Sequence, residues 1–250
     1  MPTEKIRPDP WLAALFGRDV FRVDGCGPGA ALARTVDEHR RQQSRAFYYA
    51  KIDAADVPTI GALTGAGMAV VEVNVTFGVA AAAGRGVEDV PNSVAVTRAS
   101  AGDAESLLQV AATSFRYSRF HLDPLVADSL ANRIKREWIA SYLARQRGDD
   151  LWTVRFNGEI AGFLAVIGGD DHGVHHKTID LVAIAPAFQG RGIGHAVMRF
   201  FFRRYADACD RLRVGTQIAN VPSVRLYEAA GMRIERSQYV LHMHVPESMA

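Results

Sequence analysis

Two hydrophobic periods alternate along this chain. Runs rich in β-branched and aromatic residues at 20–23, 47–52, 68–75, 94–98, 151–156, 159–167, 178–184, 212–217 and 237–245 carry strand patterning. Between them, apolar residues recur at helical spacing over 32–43, 57–64 and 104–114. Leu130, Ile134, Trp138 and Leu143 share one side of a further helix. Ile193, Ala196, Val197, Phe200, Phe201 and Ala208 define another, with Arg199 and Arg203 opposite. Asn157-Gly158 between two strand runs predicts a tight hairpin. The alternation predicts an α/β protein. The Gly- and Ala-rich stretch 79–92, with Pro91 near its end, predicts a linker between a small α/β domain (1–78) and a larger one (93–250).

Composition narrows the function classes. The formal net charge of +2 over 250 residues gives no basic excess for nucleic acid. No apolar run approaches the ~20 residues of a membrane span, and no signal-peptide pattern opens the chain, so the expected setting is cytoplasmic, away from membranes. Cys26 and Cys209 have neither metal nor redox spacing and are expected as free thiols. His172, His175 and His176 lie among Gly168, Gly169 and Gly173 in an expected hairpin turn, with no Cys partners, so no metal is expected. His242 and His244 alternate on one side of the last strand and are expected on an exposed face.

The chemistry concentrates at 181–194, where a β-branched strand and a turn at Pro186 lead into Gln189-Gly190-Arg191-Gly192-Ile193-Gly194 at a helix start. Glycines there let a ligand approach the backbone, and the first helical amides lack intrahelical partners, an arrangement that binds phosphate. A Walker loop is excluded because Gly194 is followed by His195 and Ala196, and a Rossmann fingerprint lacks its third glycine. Further on, Asn220 suits an N-cap, Pro222 a first turn and Gly231 a left-handed helix end, which together predict a short capped helix carrying Tyr227.

The two strings, Q-x-x-G-x-G at 189–194 and N-x-x-S-x-x-x-Y-x-x-x-G at 220–231, resemble the signatures of the GCN5-related N-acetyltransferase (GNAT) family, a similarity covering roughly 93–245. It implies a GNAT fold, a mixed and mostly antiparallel central sheet flanked by helices, here preceded by the smaller N-terminal α/β domain. It also implies acetyl-coenzyme A as co-substrate, held by Val182, Ala183, Ile184, Gln189, Gly190, Arg191, Gly192, Ile193, Gly194 and Asn220, with Tyr227 as general acid to the leaving thiolate. Shorter strings, Ser118-Arg119-Phe120, Glu137-Trp138-Ile139 and 212–220 among them, are similar to acetyltransferases of dTDP-linked amino-deoxy sugars. That similarity implies a nucleotide-sugar amine as acceptor, met by Ser118, Arg119, Phe120 and Gln217, with direct attack in a ternary complex. Arg119 would bind diphosphate and Phe120 would stack. No base is assigned: Asp180, His175, His176 and ordered water are all open. A homodimer is left open. Another amine acceptor (polyamine, antibiotic or peptide N-terminus) and a non-catalytic acyl-coenzyme A sensor are the alternatives.

Overall fold

The computed structural model describes residues 5–25 and 28–247. Cys26 therefore lies outside the described residues, and Cys209 is a free thiol. The chain runs β1 (Ile6–Pro8), α1 (Pro10–Phe16), β2 (Asp19–Val23), α2 (Gly29–Arg40), β3 (Ala46–Asp53), α3 (Val57–Gly65) and β4 (Ala69–Ala80). It continues as β5 (Val94–Arg98), α4 (Ala104–Thr113), α5 (Asp128–Leu143), β6 (Asp150–Phe156), β7 (Glu159–Asp171) and β8 (Val174–Ile184). The rest is α6 (Ile193–Tyr205), β9 (Arg211–Gln217), α7 (Val221–Ala229) and β10 (Arg233–Val245).

All ten strands join one sheet in the order β1-β2-β3-β10-β4-β9-β8-β7-β6-β5. Apolar residues of α2, α3, α6 and α7 pack on one face, and those of α1, α4 and α5 on the other, as strand alternation requires when both faces are covered. Where a linker is expected, β4 instead continues to Ala80 and a 3-10 turn follows over Ala81–Gly86. That turn is packed: a Cβ on Gly84 would lie 2.2 Å from the Phe202 carbonyl oxygen. The β7–β8 hairpin reaches through Gly168 and Gly169 and turns at His172-Gly173, both in the left-handed region. At the other hairpin Asn157 and Gly158 have φ of 49° and 89°, as the Asn-Gly signal predicts.

The topology contains a repeat. Asp56-Val57-Pro58-Thr59-Ile60 and Asn220-Val221-Pro222-Ser223-Val224 open α3 and α7 with the same device: the Asp56 or Asn220 side chain accepts from the amide of Thr59 (3.1 Å) or Ser223 (3.4 Å). Both copies end in Ala-Gly-Met, with Gly67 and Gly231 at φ of 96° and 84° and Met68 and Met232 buried. The unit β2–α2–β3–α3–β4 thus repeats as β8–α6–β9–α7–β10. The copies interleave their last strands, β10 entering between β3 and β4, and β4 between β10 and β9. Asn74 and Gln238, equivalent positions in the two copies, face each other across the β4–β10 pair, which marks a local two-fold relation.

Candidate active site

One extra residue in β8 opens the sheet. Ala165 pairs with Leu181 and Val166 with Ile179, so Asp180 is bulged out. The alternation of faces inverts there: Ile179 joins the core under α6, whereas Leu181 and Ala183 join the core under α4 and α5. Pairing between the parallel strands β8 and β9 ends at Ile179 and Val214, so beyond it the strands part and leave a cleft between 180–184 and 215–217. Asp180 is held by α5: Trp138 Nε1 and Tyr142 Oη donate to it at 2.8 Å, and Arg147 donates from Nε at 2.8 Å and Nη2 at 3.1 Å. Burial disfavours its charge, but Arg147 and the other donors overcome that and keep the carboxyl below the usual range. An acid so fully occupied cannot act as the base.

The turn after β8 suits an anionic ligand. Gln189 Nε2 donates to the Ile184 carbonyl at 2.9 Å, tying the loop to the strand end. Gly190 and Gly192 both have φ of 76°, and a Cβ at either would meet only open space, so they serve conformation and close approach. Gly194 instead packs α6 onto α7, its Cβ position 3.2 Å from Leu226. Ile193 is buried and can offer a ligand only its amide, while Arg191 donates to the Ala187 carbonyl at 3.2 Å. Val182 and Ile184 are half-buried beside the cleft. Unpaired strand edges, open glycines and the free amides of α6 fit a pantetheine arm ending in a diphosphate. On α7, Asn220 is the N-cap, and Tyr227 is 3% exposed against Phe77 at 5.6 Å between ring centres. Burial pushes its phenol up to about 12, so it stays protonated at neutral pH.

The sheet face under α1 and α5 holds a groove of about 1050 Å³, large even for a small-molecule site. Basic side chains outnumber acidic ones in its lining, which includes Arg7, Arg22, Lys51, Arg119, Arg147 and Arg236. Among the described residues, Arg119, Arg236 and Lys51 make no ion pair, whereas Arg7 and Arg22 share Asp24. The Arg119 guanidinium lies 3.9 Å from the Tyr49 ring centre and 4.5 Å from that of Phe120.

The expected acceptor residues divide. Arg119 reaches the groove. Phe120, expected to stack on a ligand, is 1% exposed within the core under α1, so it supports Arg119 from behind. Ser118 is also buried and shares a hydrogen bond with His121 at 2.7 Å. The groove's aromatic lining is Trp11, 38% exposed and edge-on to Trp138 at 5.7 Å, together with the half-buried Tyr49 and Trp138. Gln217 stands at the cleft end of β9, with Nε2 3.5 Å from Glu72 Oε1.

His242 and His244 are not on an exposed face. The loop before α5 covers them, and Asp123 Oδ2 accepts from His242 Nδ1 at 2.7 Å and His244 Nε2 at 2.8 Å. Arg18 Nη2 lies 2.7 Å from His244 Nδ1, which fixes that ring's tautomer by donation. Burial pushes the 2%-exposed His242 down to about 4. These three groups could present atoms to an ion, but their spacing is that of hydrogen bonds and Arg18 already supplies a cation beside them.

A parallel pair parted by a bulge, a glycine turn at the following helix and a buried phenol one helix on sit within a GNAT fold. Residues 109–232 match the model of the acetyltransferase (GNAT) family, and the chain carries a domain of that family. It is similar to the spore coat polysaccharide biosynthesis protein SpsD of Bacillus subtilis, 32% identical over 143 residues, 57% of this chain and 48% of that one. The chain thus spans about half the length of SpsD. It is also 28% identical over 195 residues to dTDP-fucosamine acetyltransferase of Escherichia coli, across 77% of this chain and 80% of the relative. A GCN5-related N-acetyltransferase from Sphaerobacter thermophilus shares the fold, with a TM-score of 0.61 at 15% identity over 92% of this chain and 74% of that chain. Among the described residues no helix is long and apolar enough to cross a membrane.

Proposed function

We propose that the protein transfers acetyl from acetyl-coenzyme A to the amine of a phosphate-bearing small acceptor, a dTDP-linked amino-deoxy sugar, by direct attack in a ternary complex. The observation that carries this reading is the cationic groove beside the cleft. A diphosphate suits Arg119 and Arg236, which have no carboxylate of their own, and an exposed indole at Trp11 offers a face to the base. The relative named for dTDP-fucosamine matches most of both chains and supports the same acceptor class.

The donor lies along the cleft with its diphosphate at Gly190–Gly194, which leaves its thioester beside the free edges of β8 and β9. Backbone amides there are placed to stabilise charge on the carbonyl oxygen, worth about 3 kcal/mol per donor in acyl transfer. Tyr227 gives its proton to the departing thiolate. A thiol-release assay with acetyl-coenzyme A tests the reading against dTDP-amino-dideoxyhexoses, polyamines and amino-terminal peptides. Turnover confined to the nucleotide sugars is the expected result, with a KM that rises with salt as charged contacts are screened. Turnover on uncharged or cationic amines alone would reject the acceptor, and coenzyme binding with no turnover on any amine would reject catalysis.

A further inference from the structure

Groove and cleft meet across a short strip of sheet. Lys51, Val240 and Glu72 lie side by side on β3, β10 and β4, and the next row runs Asp53, Gln238, Asn74, Gln217 out to the end of β9. An amine attached to a ligand in the groove has to cross this strip to reach an acyl group in the cleft. Three carboxylates reach the junction. Asp53, at the end of β3, is exposed to solvent, and its Oδ1 already accepts from the Ala55 amide at 3.0 Å. Asp180 is saturated by its four donated bonds. Glu72 is 7% exposed; among the described residues its side chain accepts a hydrogen bond only from Gln217, through Oε1, and its Oε2 is buried with no hydrogen-bond partner. A buried, unpartnered carboxylate oxygen is costly unless something bonds it in the working complex, and a protonated amine is the donor that this passage delivers.

From this placement we infer that Glu72 is the general base, removing a proton from the acceptor's ammonium group before attack. The inference rests on the acyl-transfer reading above. The ammonium loses a proton to Glu72, and the freed nitrogen lone pair forms the C–N bond to the acyl carbon. The C–S bond breaks, and the sulfur takes the Tyr227 proton. The nitrogen, now bearing one proton too many for an amide, releases it to the phenolate, and Glu72 returns its own to solvent. Burial raises the Glu72 pKa toward the operating range of a base, while Lys51 from β3, Gln217 from β9, Arg119 from the loop before α5 and Lys135 from α5 restrain that rise. Lys135 is itself buried, and that burial lowers it to about 8 against the opposing pull of Glu72. From β10, Val240 and Gln238 add no charge, and His242 is neutral at the working pH.

The test is Glu72→Gln in the full chain, with kcat/KM followed against pH. Wild type should show an acid limb set by Glu72. Glu72→Gln should lose about 10²-fold at pH 7, lack that limb and recover as pH rises and free amine accumulates, with an unchanged coenzyme Kd as proof of folding. An acceptor analogue whose amine is already unprotonated at pH 7 should erase most of the difference. Activity in Glu72→Gln within threefold of wild type, or an acid limb that stays at the wild-type position after the change, would overturn the inference. Should Glu72→Gln not fold, the wild-type profile and Glu72→Asp decide: a profile with no acid limb, or the same limb and rate in both proteins, would overturn it. A wild type that turns over no acceptor would instead bring down the acyl-transfer reading, and the base with it.

Discussion

The two copies of the repeated unit share order, caps and helix ends but diverge at one strand pair. In the N-terminal copy β2 and β3 stay paired from Asp19 and Ala46 to Val23 and Ala50, the whole length of β2. In the C-terminal copy β8 and β9 pair over only four positions before the Asp180 bulge parts them. The glycine turn follows suit. Gly192 caps α6 in the left-handed region, whereas Pro28 in extended backbone precedes α2. The position of Tyr227 is Leu63 in the first copy, fully buried under α3. One scaffold, used twice, opens only where a single extra residue breaks the ladder; the other copy, still closed, supplies a wall of the cationic groove.

Replacing Tyr227, which stands where the first copy has Leu63, should do most. Tyr227→Phe should lower kcat by 10²-fold or more and leave the coenzyme Kd unchanged, as stopped-flow thiol release and calorimetry would show. Calorimetry should also find one coenzyme per chain, because the closed β2–β3 pair has no cleft; two sites would break the contrast. Next comes acid stability, concentrated where the first copy meets β10. His242 has a folded pKa of about 4 against an ordinary 6.5, so its contribution is fully present above pH 6.5 and is lost as pH falls toward 4, because the unfolded chain protonates first. Urea titrations should show about 2 kcal/mol less stability at pH 5 than at pH 7, and His242→Gln should flatten that slope.

Smaller effects separate the copies residue by residue. Gly192→Ala strains a left-handed turn by about 1–2 kcal/mol and should weaken coenzyme binding roughly tenfold. Gly67→Ala carries the same strain, measurable as a lower Tm, with no change in coenzyme affinity. Asp56→Ala and Asn220→Ala should each cost about 1 kcal/mol of stability, and only the second should alter the coenzyme Kd. Equal effects on Kd from the two caps would mean that Asn220 serves α7 alone.

What the sequence discloses of this architecture is what local physics determines. Gly190, Gly192, Asn220, Pro222 and Gly231 mark their turns because φ and capping depend on a few neighbours, so loop and helix are readable in the string. The bulge is not, since Asp180 sits inside 178–184, which reads as one continuous strand, and only the partner strand reveals the extra residue. Alternation places His242 and His244 on one side of a strand but does not say that Asp123, far back in the chain, covers that side. Phe120 reads as an available aromatic until the core under α1 closes over it. Glu72 gives no local sign either: it lies in an expected strand whose neighbours, β9 and β10, are distant in sequence. The repeat is legible, because Asp-Val-Pro-Thr-Ile and Asn-Val-Pro-Ser-Val with a shared Ala-Gly-Met ending stand in plain view. Comparing the chain with itself would replace the expected linker at 79–92 with a strand running into its packed turn.

The interleaved strands also set the order in which the molecule can be completed. A ribosome releases β3 long before β10, yet β10 is the partner that β3 needs on its inner edge. Until residues 233–245 emerge, the first three strands end in an open row of unpaired backbone groups, the kind of edge that recruits stray strands. Closure joins the earliest and latest parts of the chain in one event, the slow, non-local class of folding step. A nascent chain stalled after β9 should therefore remain open to protease in its N-terminal half, although every residue of that half has already been made.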